Sequence, residues 1–167
     1  MMLLATGLVQ AQNMKIGYTN AEYLLSLLPE AKGIESELRS YESQLQNSLQ
    51  AKYQELQAKV GEYQANEASY SELIRSDKQR EIQAMQESLQ TFQQEAENSL
   101  MNKRNQLLEP AVEKIGTAIQ QVAEENGYTH VLSSGTTGLD VLLYASEEYD
   151  ISDLVLKKLG VNPPTGN

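Results

Sequence analysis

Apolar side chains recur every three or four positions through most of the middle of the chain. From about Pro29 to Tyr70 they fall at Ile34, Leu38, Tyr41, Leu45, Leu49, Tyr53, Leu56, Val60, Tyr63 and Tyr70, with Ile74 beyond. That spacing puts them on one face of a helix. Three consecutive steps of four between Tyr41 and Tyr53 lift the period above 3.5, so the helix is expected to run straight or locally unwind a left-handed supercoil. A second series reads Ile82, Met85, Leu89, Phe92, Ala96, Leu100, Leu107, Ala111, Ile115, Ile119 and Val122. It predicts a helix from about Asp77 to Glu125, with Asp77 as N-cap. Pro110 inside it removes one helical hydrogen bond and predicts a kink. The reversal between the two helices is expected within residues 69–81, where Ser71, Ser76 and Asp77 offer capping side chains. Gly61 and Asn66 offer earlier bends.

The ends of the chain follow a different pattern. Residues 15–19, "KIGYT", alternate as a strand does. "NAEYLLSLLPEAKG" then predicts a short buried helix with Asn20 as N-cap, stopped or re-aimed by Pro29. After the second long helix, Asn126-Gly127 is a stop signal. "YTHVLSS" and "LDVLLYAS" predict two strands joined by Gly135-Thr136-Thr137-Gly138 as a hairpin. "YDISDLVLKKLG" predicts a short amphipathic helix capped by Asp150 or Ser152 and ended by Gly160.

The parts therefore nest. Residues 12–33 and 110–160 form a small α+β body, residues 34–109 form an inserted antiparallel helical hairpin, and residues 161–167 are a tail. The predicted fold is α+β and predominantly helical. Three short strands are a weak sheet with open edges, which points to a barrel completed by strands of other copies. At the start, "MMLLATGLVQAQ" is a short apolar run ending in small residues, the form of a signal-peptide remnant over residues 1–11 with cleavage near Ala11.

Composition narrows the function. Of 167 residues 40% are hydrophobic, but there is one Phe and no Trp, so the middle of the chain is too polar to enclose a core alone. The formal net charge of −10 argues against nucleic acid and against broad adhesion to anionic lipid. There is no Cys, and the one His, His130, sits in a strand pattern, so the usual His/Cys metal sets are absent and no cofactor is implied. The acidic cluster Glu147, Glu148, Asp150 and Asp153 reads as a solvated loop and helix cap. No phosphate loop or nucleophile motif is present, so no catalytic residue is assigned and the chain is not expected to be an enzyme.

The segments "KIGYTNAEYLLSLLPEAKG", "GYTHVLSSG", "VLLYAS" and "YDISDLVLKKLG", with a Gln- and Glu-rich helical pair between them, resemble the Skp (OmpH) family of periplasmic chaperones over Lys15 to Gly160. The resemblance implies a homotrimer whose strands form one small barrel. From it three helical hairpins would surround a cavity holding unfolded outer-membrane proteins, without ATP and without enzyme activity. One departure is charge: the best-known members are basic, whereas residues 34–109 here carry thirteen acidic and eight basic side chains. The alternatives are a structural coiled-coil spacer or tether, and a cytosolic prefoldin-like holdase.

Within that picture Tyr53, Tyr63, Tyr70, Met85 and Met101 are candidate client contacts, since tyrosine and methionine make adaptable contacts. Arg75, Lys78 and Arg80 form a narrow basic cluster at the expected reversal. Ile16, Tyr18, Val131, Leu132, Val141 and Leu143 are candidates for the trimer body, and Pro110 for a hinge.

Overall fold

A computed structural model describes residues 14–135 and 142–164. In chain order these form β1 (Ile16–Thr19), α1 (Ala21–Leu27), α2 (Ala31–Asn66), α3 (Glu72–Asn126), β2 (His130–Ser133) and α4 (Ser152–Lys158), with single 3-10 turns at Glu67–Ser69 and Glu147–Tyr149. The signal-like start and Val141 lie outside the described residues. The chain divides into two compact units, Met1–Ala31 with Ala111–Asn167, and Lys32–Pro110.

In the first unit β1 and β2 pair in parallel, from Ile16 opposite His130 to Thr19 opposite Ser133. A parallel pair cannot be closed by a tight turn and needs a long crossover; here the crossover contains both long helices. On the other edge of β1 the Ile151 amide donates to the Tyr18 carbonyl at 2.9 Å, so β1 has a neighbour on both sides. Leu24, Leu28, Ala111, Ile115, Ala118, Val122, Ile151, Val155 and Leu156 form the core. The Thr19 and Ser152 hydroxyls bond each other at 2.8 Å, so this buried polar pair is satisfied. Gly17 is required by close approach: a Cβ there would lie 3.0 Å from Ile151 and from the Tyr128 ring.

The helix ends follow their local chemistry. Asn20 Oδ1 accepts from the amides of Glu22 and Tyr23, capping α1 as expected. Gly127 takes φ +69°, and the Tyr128 amide returns to the Ala123 carbonyl at 2.9 Å, closing α3. The N-cap position of α4 is Ile151, neither of the two expected residues; Asp150, one residue before it, accepts from the Ser152 amide at 2.8 Å through Oδ1.

Two expectations are corrected here. The described residues show β2 pairing with β1, and Leu142–Ser146, the described part of the expected second strand, form no strand; residues 136–141 of the expected hairpin lie outside the described residues. Alternation records which faces side chains take, not which strand edge fills each ladder, so it could not distinguish a hairpin from a crossover pair. Asp77 is not an N-cap. α3 begins at Glu72, with Ser71 Oγ accepting from the Ile74 amide at 3.4 Å, and Asp77 lies inside the helix, paired with Arg80. Leu73 and Ile74 join the first turn of α3 because nothing between Ser71 and Asp77 breaks a helix. The reversal itself falls at Asn66 to Ser71, starting before the expected range of 69–81 at the earlier bend offered by Asn66.

In the second unit α2 and α3 run antiparallel. Glu37 pairs with Lys103, Tyr41 with Ser99, Lys59 with Glu81, and Glu62 with Lys78. Every step along α2 is matched by an equal step back along α3, so one register holds from the first pair to the last. On α3 a half-buried stripe steps in fours and threes through Lys78, Ile82, Met85, Leu89, Phe92, Ala96, Ser99 and Lys103, with Leu100 half-buried beside it. On α2 the stripe passes through Leu49, Lys52 and Leu56, and Tyr53 stands beside it, 48% exposed. This corrects the assignment of Tyr53 to the seam. A lysine stem covers apolar surface while its charge reaches water, so Lys52 takes a place that a purely apolar pattern assigns to its neighbour.

Candidate functional site

The hairpin is thinly packed. Among the described residues of Lys32–Pro110, Leu56 alone is buried, at 9% exposure. Tyr41 and Ser99 bond through their hydroxyls at 2.6 Å, and Lys52 Nζ stands 5.3 Å from the centre of the Phe92 ring. Polar and amphipathic groups thus occupy positions that a tight coiled coil fills with leucine.

The candidate contact residues separate into two sets. Tyr53 and Met101 lie off the packed stripe, the latter 56% exposed. Tyr63, Tyr70 and Met85 are half-buried and engaged with the hairpin itself. The Tyr63 hydroxyl donates to Glu67 at 2.9 Å and accepts from Gln79 at 2.8 Å, and its ring lies 6.4 Å from that of Tyr70. Burial, then the neighbouring Glu67, raises the Tyr63 pKa above the ordinary phenol value. Met85 lines a groove of about 380 Å³ with Lys52, Glu55, Glu81, Ala84 and Leu89.

The basic cluster is largely neutralised by its surroundings. Lys78 pairs with Glu62 and Glu81, and Arg80 with Asp77, while Arg75 is exposed. Lys59 holds Glu81 below the usual carboxylate range by hydrogen bond and charge, and Glu81 correspondingly raises Lys59. Exposed Leu73 and Ile74 flank the same turn.

Across the groove of the first unit, Ile16, Tyr18 and Leu132 come together with Met14, Leu142 and Tyr149 around about 250 Å³. Val131 is half-buried in β2, and Leu143 and Tyr144 are 91% and 86% exposed. Tyr18 titrates above its ordinary value, chiefly through burial and then through Asp150 and Glu147. Met14 and Tyr149 escaped the sequence reading because they fall outside the alternating runs, and Tyr144, inside the run 139–146, is not singled out there. Pro110 is exposed within an unbroken α3. Among the described residues no group of three or more acidic or His side chains is placed to hold a metal ion, and no helix is long and apolar enough to cross a membrane.

Residues 15–159 match the family described as Outer membrane protein (OmpH-like). The chain belongs to the OmpH-like family. The expected resemblance is thereby borne out. The fold is shared with an OmpH-like candidate outer membrane chaperone from Caulobacter crescentus CB15. Its crystal structure superposes with a TM-score of 0.72 at 16% identity, covering 99% of this chain and 96% of that one. No curated protein sequence matches the chain significantly. As an OmpH-like protein the chain combines a small parallel strand pair with a long helical hairpin.

Proposed function

We propose that this OmpH-like protein is an ATP-independent holdase of the periplasm. It binds unfolded outer-membrane β-barrel proteins and keeps them from aggregating, and it works as a homotrimer with the client held between hairpins. One observation carries the proposal: the hairpin buries a single side chain, Leu56, while Tyr53 and Met101 stand free on its surface. A protein that binds many unfolded chains needs weak, adaptable contacts, and a large apolar patch would make it aggregate with itself. Scattered tyrosine, methionine and glutamine meet both demands. The net charge of −10 keeps such a surface soluble.

Assembly is supported by the first unit. Two short strands are marginal alone, and an apolar groove edged by Ile16 and Leu132 beside exposed Leu143 and Tyr144 is surface that further copies would cover. The acidic balance makes charge-driven membrane contact a poor fit. Native mass measurement of the mature protein, alone and with a urea-diluted outer-membrane β-barrel protein, tests both claims. The expected result is a trimer that gains one client chain, and a Leu143→Asp variant that falls to monomer. A wild-type monomer that leaves the client to precipitate would overturn the proposal.

A further inference from the structure

Near the reversal, on the side of the hairpin that carries Tyr53, α2 and α3 enclose an open groove of about 610 Å³. Four of its eight lining residues are glutamines, Gln64 from α2 and Gln79, Gln83 and Gln86 from α3; Val60, Tyr63, Glu67 and Ile82 complete it. Gln79 uses its NH₂ group on the Tyr63 hydroxyl and Gln83 uses its own on Glu87, which leaves their carbonyl oxygens open. Among the described residues the amides of Gln64 and Gln86 have no protein partner. A neutral amide offers two donors and an acceptor, the same complement that a peptide group needs.

We propose that this groove binds the main chain of an unfolded polypeptide in extended form, through glutamine amides rather than through side-chain pockets. The inference rests on the holdase function proposed above and names what the protein recognises in its clients. Gln79, Gln83 and Gln86 are one helical turn apart on one face. Seven residues at about 1.5 Å each span roughly 10 Å, the length of about three extended residues at ~3.3 Å. The backbone is the feature that all unfolded chains share, and amide recognition is indifferent to client charge. An acidic hairpin can therefore hold acidic clients without a basic surface, and the contact is nearly insensitive to salt, unlike an ion pair. Val60 and Ile82 add half-buried apolar surface beside these amides.

The test uses the full-length protein and two fluorescent unstructured peptides of one sequence, the second with alternate backbone nitrogens methylated. Methylation removes N–H donors and leaves the side chains in place. The expected result is that wild type binds the methylated peptide roughly five-fold more weakly, the worth of about one net hydrogen bond. A Gln64→Ala/Gln79→Ala/Gln83→Ala/Gln86→Ala variant, which alters exposed helical positions to a residue that favours helix, is expected to bind the two peptides equally. Both affinities in wild type should hold within two-fold as salt is raised. Equal binding of both peptides by wild type, or a preference that survives in the variant, overturns backbone recognition and leaves the holdase function standing. Failure of wild type to bind either peptide or to protect an unfolded barrel protein overturns both.

Discussion

The Lys52 ammonium lies 5.3 Å from the centre of the Phe92 ring, across the hairpin, at the place in the α2 stripe where the apolar pattern points to Tyr53. A lysine stem fills the seam there and its charge meets the face of the ring, an arrangement worth about 0.5–1 kcal/mol at a half-exposed site. Lys52→Gln keeps most of the stem and loses the charge. It is expected to lower hairpin stability by about 0.5 kcal/mol in circular-dichroism melts. The loss should vanish in a Phe92→Leu background; an equal loss there would mean that the ring is not the partner.

Leu56 and Tyr53 are three residues apart and do different work. Leu56→Ala opens the one buried site of the hairpin and is expected to cost about 2–3 kcal/mol. Tyr53→Ser changes an exposed position, and stability should stay within about 0.5 kcal/mol. Client protection should respond the other way, falling for a Tyr53→Ser/Met101→Ser variant at unchanged helicity. A melting loss for Tyr53→Ser as large as that for Leu56→Ala would place Tyr53 back in the seam.

Tyr63 ties Glu67 in the turn to Gln79 on the returning helix. Tyr63→Phe removes both bonds and keeps the ring against Tyr70, at an expected cost of about 1 kcal/mol. The effect should be local, seen as faster amide hydrogen exchange across Glu67–Tyr70 with little change near Tyr41. Uniform acceleration along both helices would instead make the tyrosine a general packing residue.

α3 passes unbroken through Pro110, although proline is about 3 kcal/mol less favourable than alanine in a helix interior. Pro110→Ala should therefore stabilise α3. If the proline also serves as a hinge, small-angle scattering of the variant will show a narrower spread of dimensions. The same spread in both proteins would discard the hinge.

Glu81 and Glu30 both titrate below the ordinary carboxylate value, held down chiefly by hydrogen bonds from Lys59 and Lys114 respectively. A carboxylate whose folded pKa is depressed stabilises the fold above its unfolded value, about 4.3, and that contribution is lost as pH falls through the folded pKa. Melting temperature is expected to drop on acidification below about pH 4.3, with a shallower drop for Glu81→Gln. An identical profile for that variant would show that the Lys59 pair is too well solvated to matter.

The sequence by itself determined the elements whose causes are local. The three-and-four spacing specified both long helices, Asn20 and Gly127 set their neighbours' ends, and the terminal segments carried the family resemblance that the match over residues 15–159 bears out. Tertiary structure alone decided three things. It paired β2 with β1 in parallel, because a strand's alternation is blind to its partner. It put Lys52 rather than Tyr53 in the seam, because seam membership depends on the facing ring of Phe92, and a long cation packs as an apolar stem only when such a surface is present. It gathered Gln64 beside Gln79, Gln83 and Gln86, residues on opposite sides of the reversal, because the constant antiparallel register brings them to one groove.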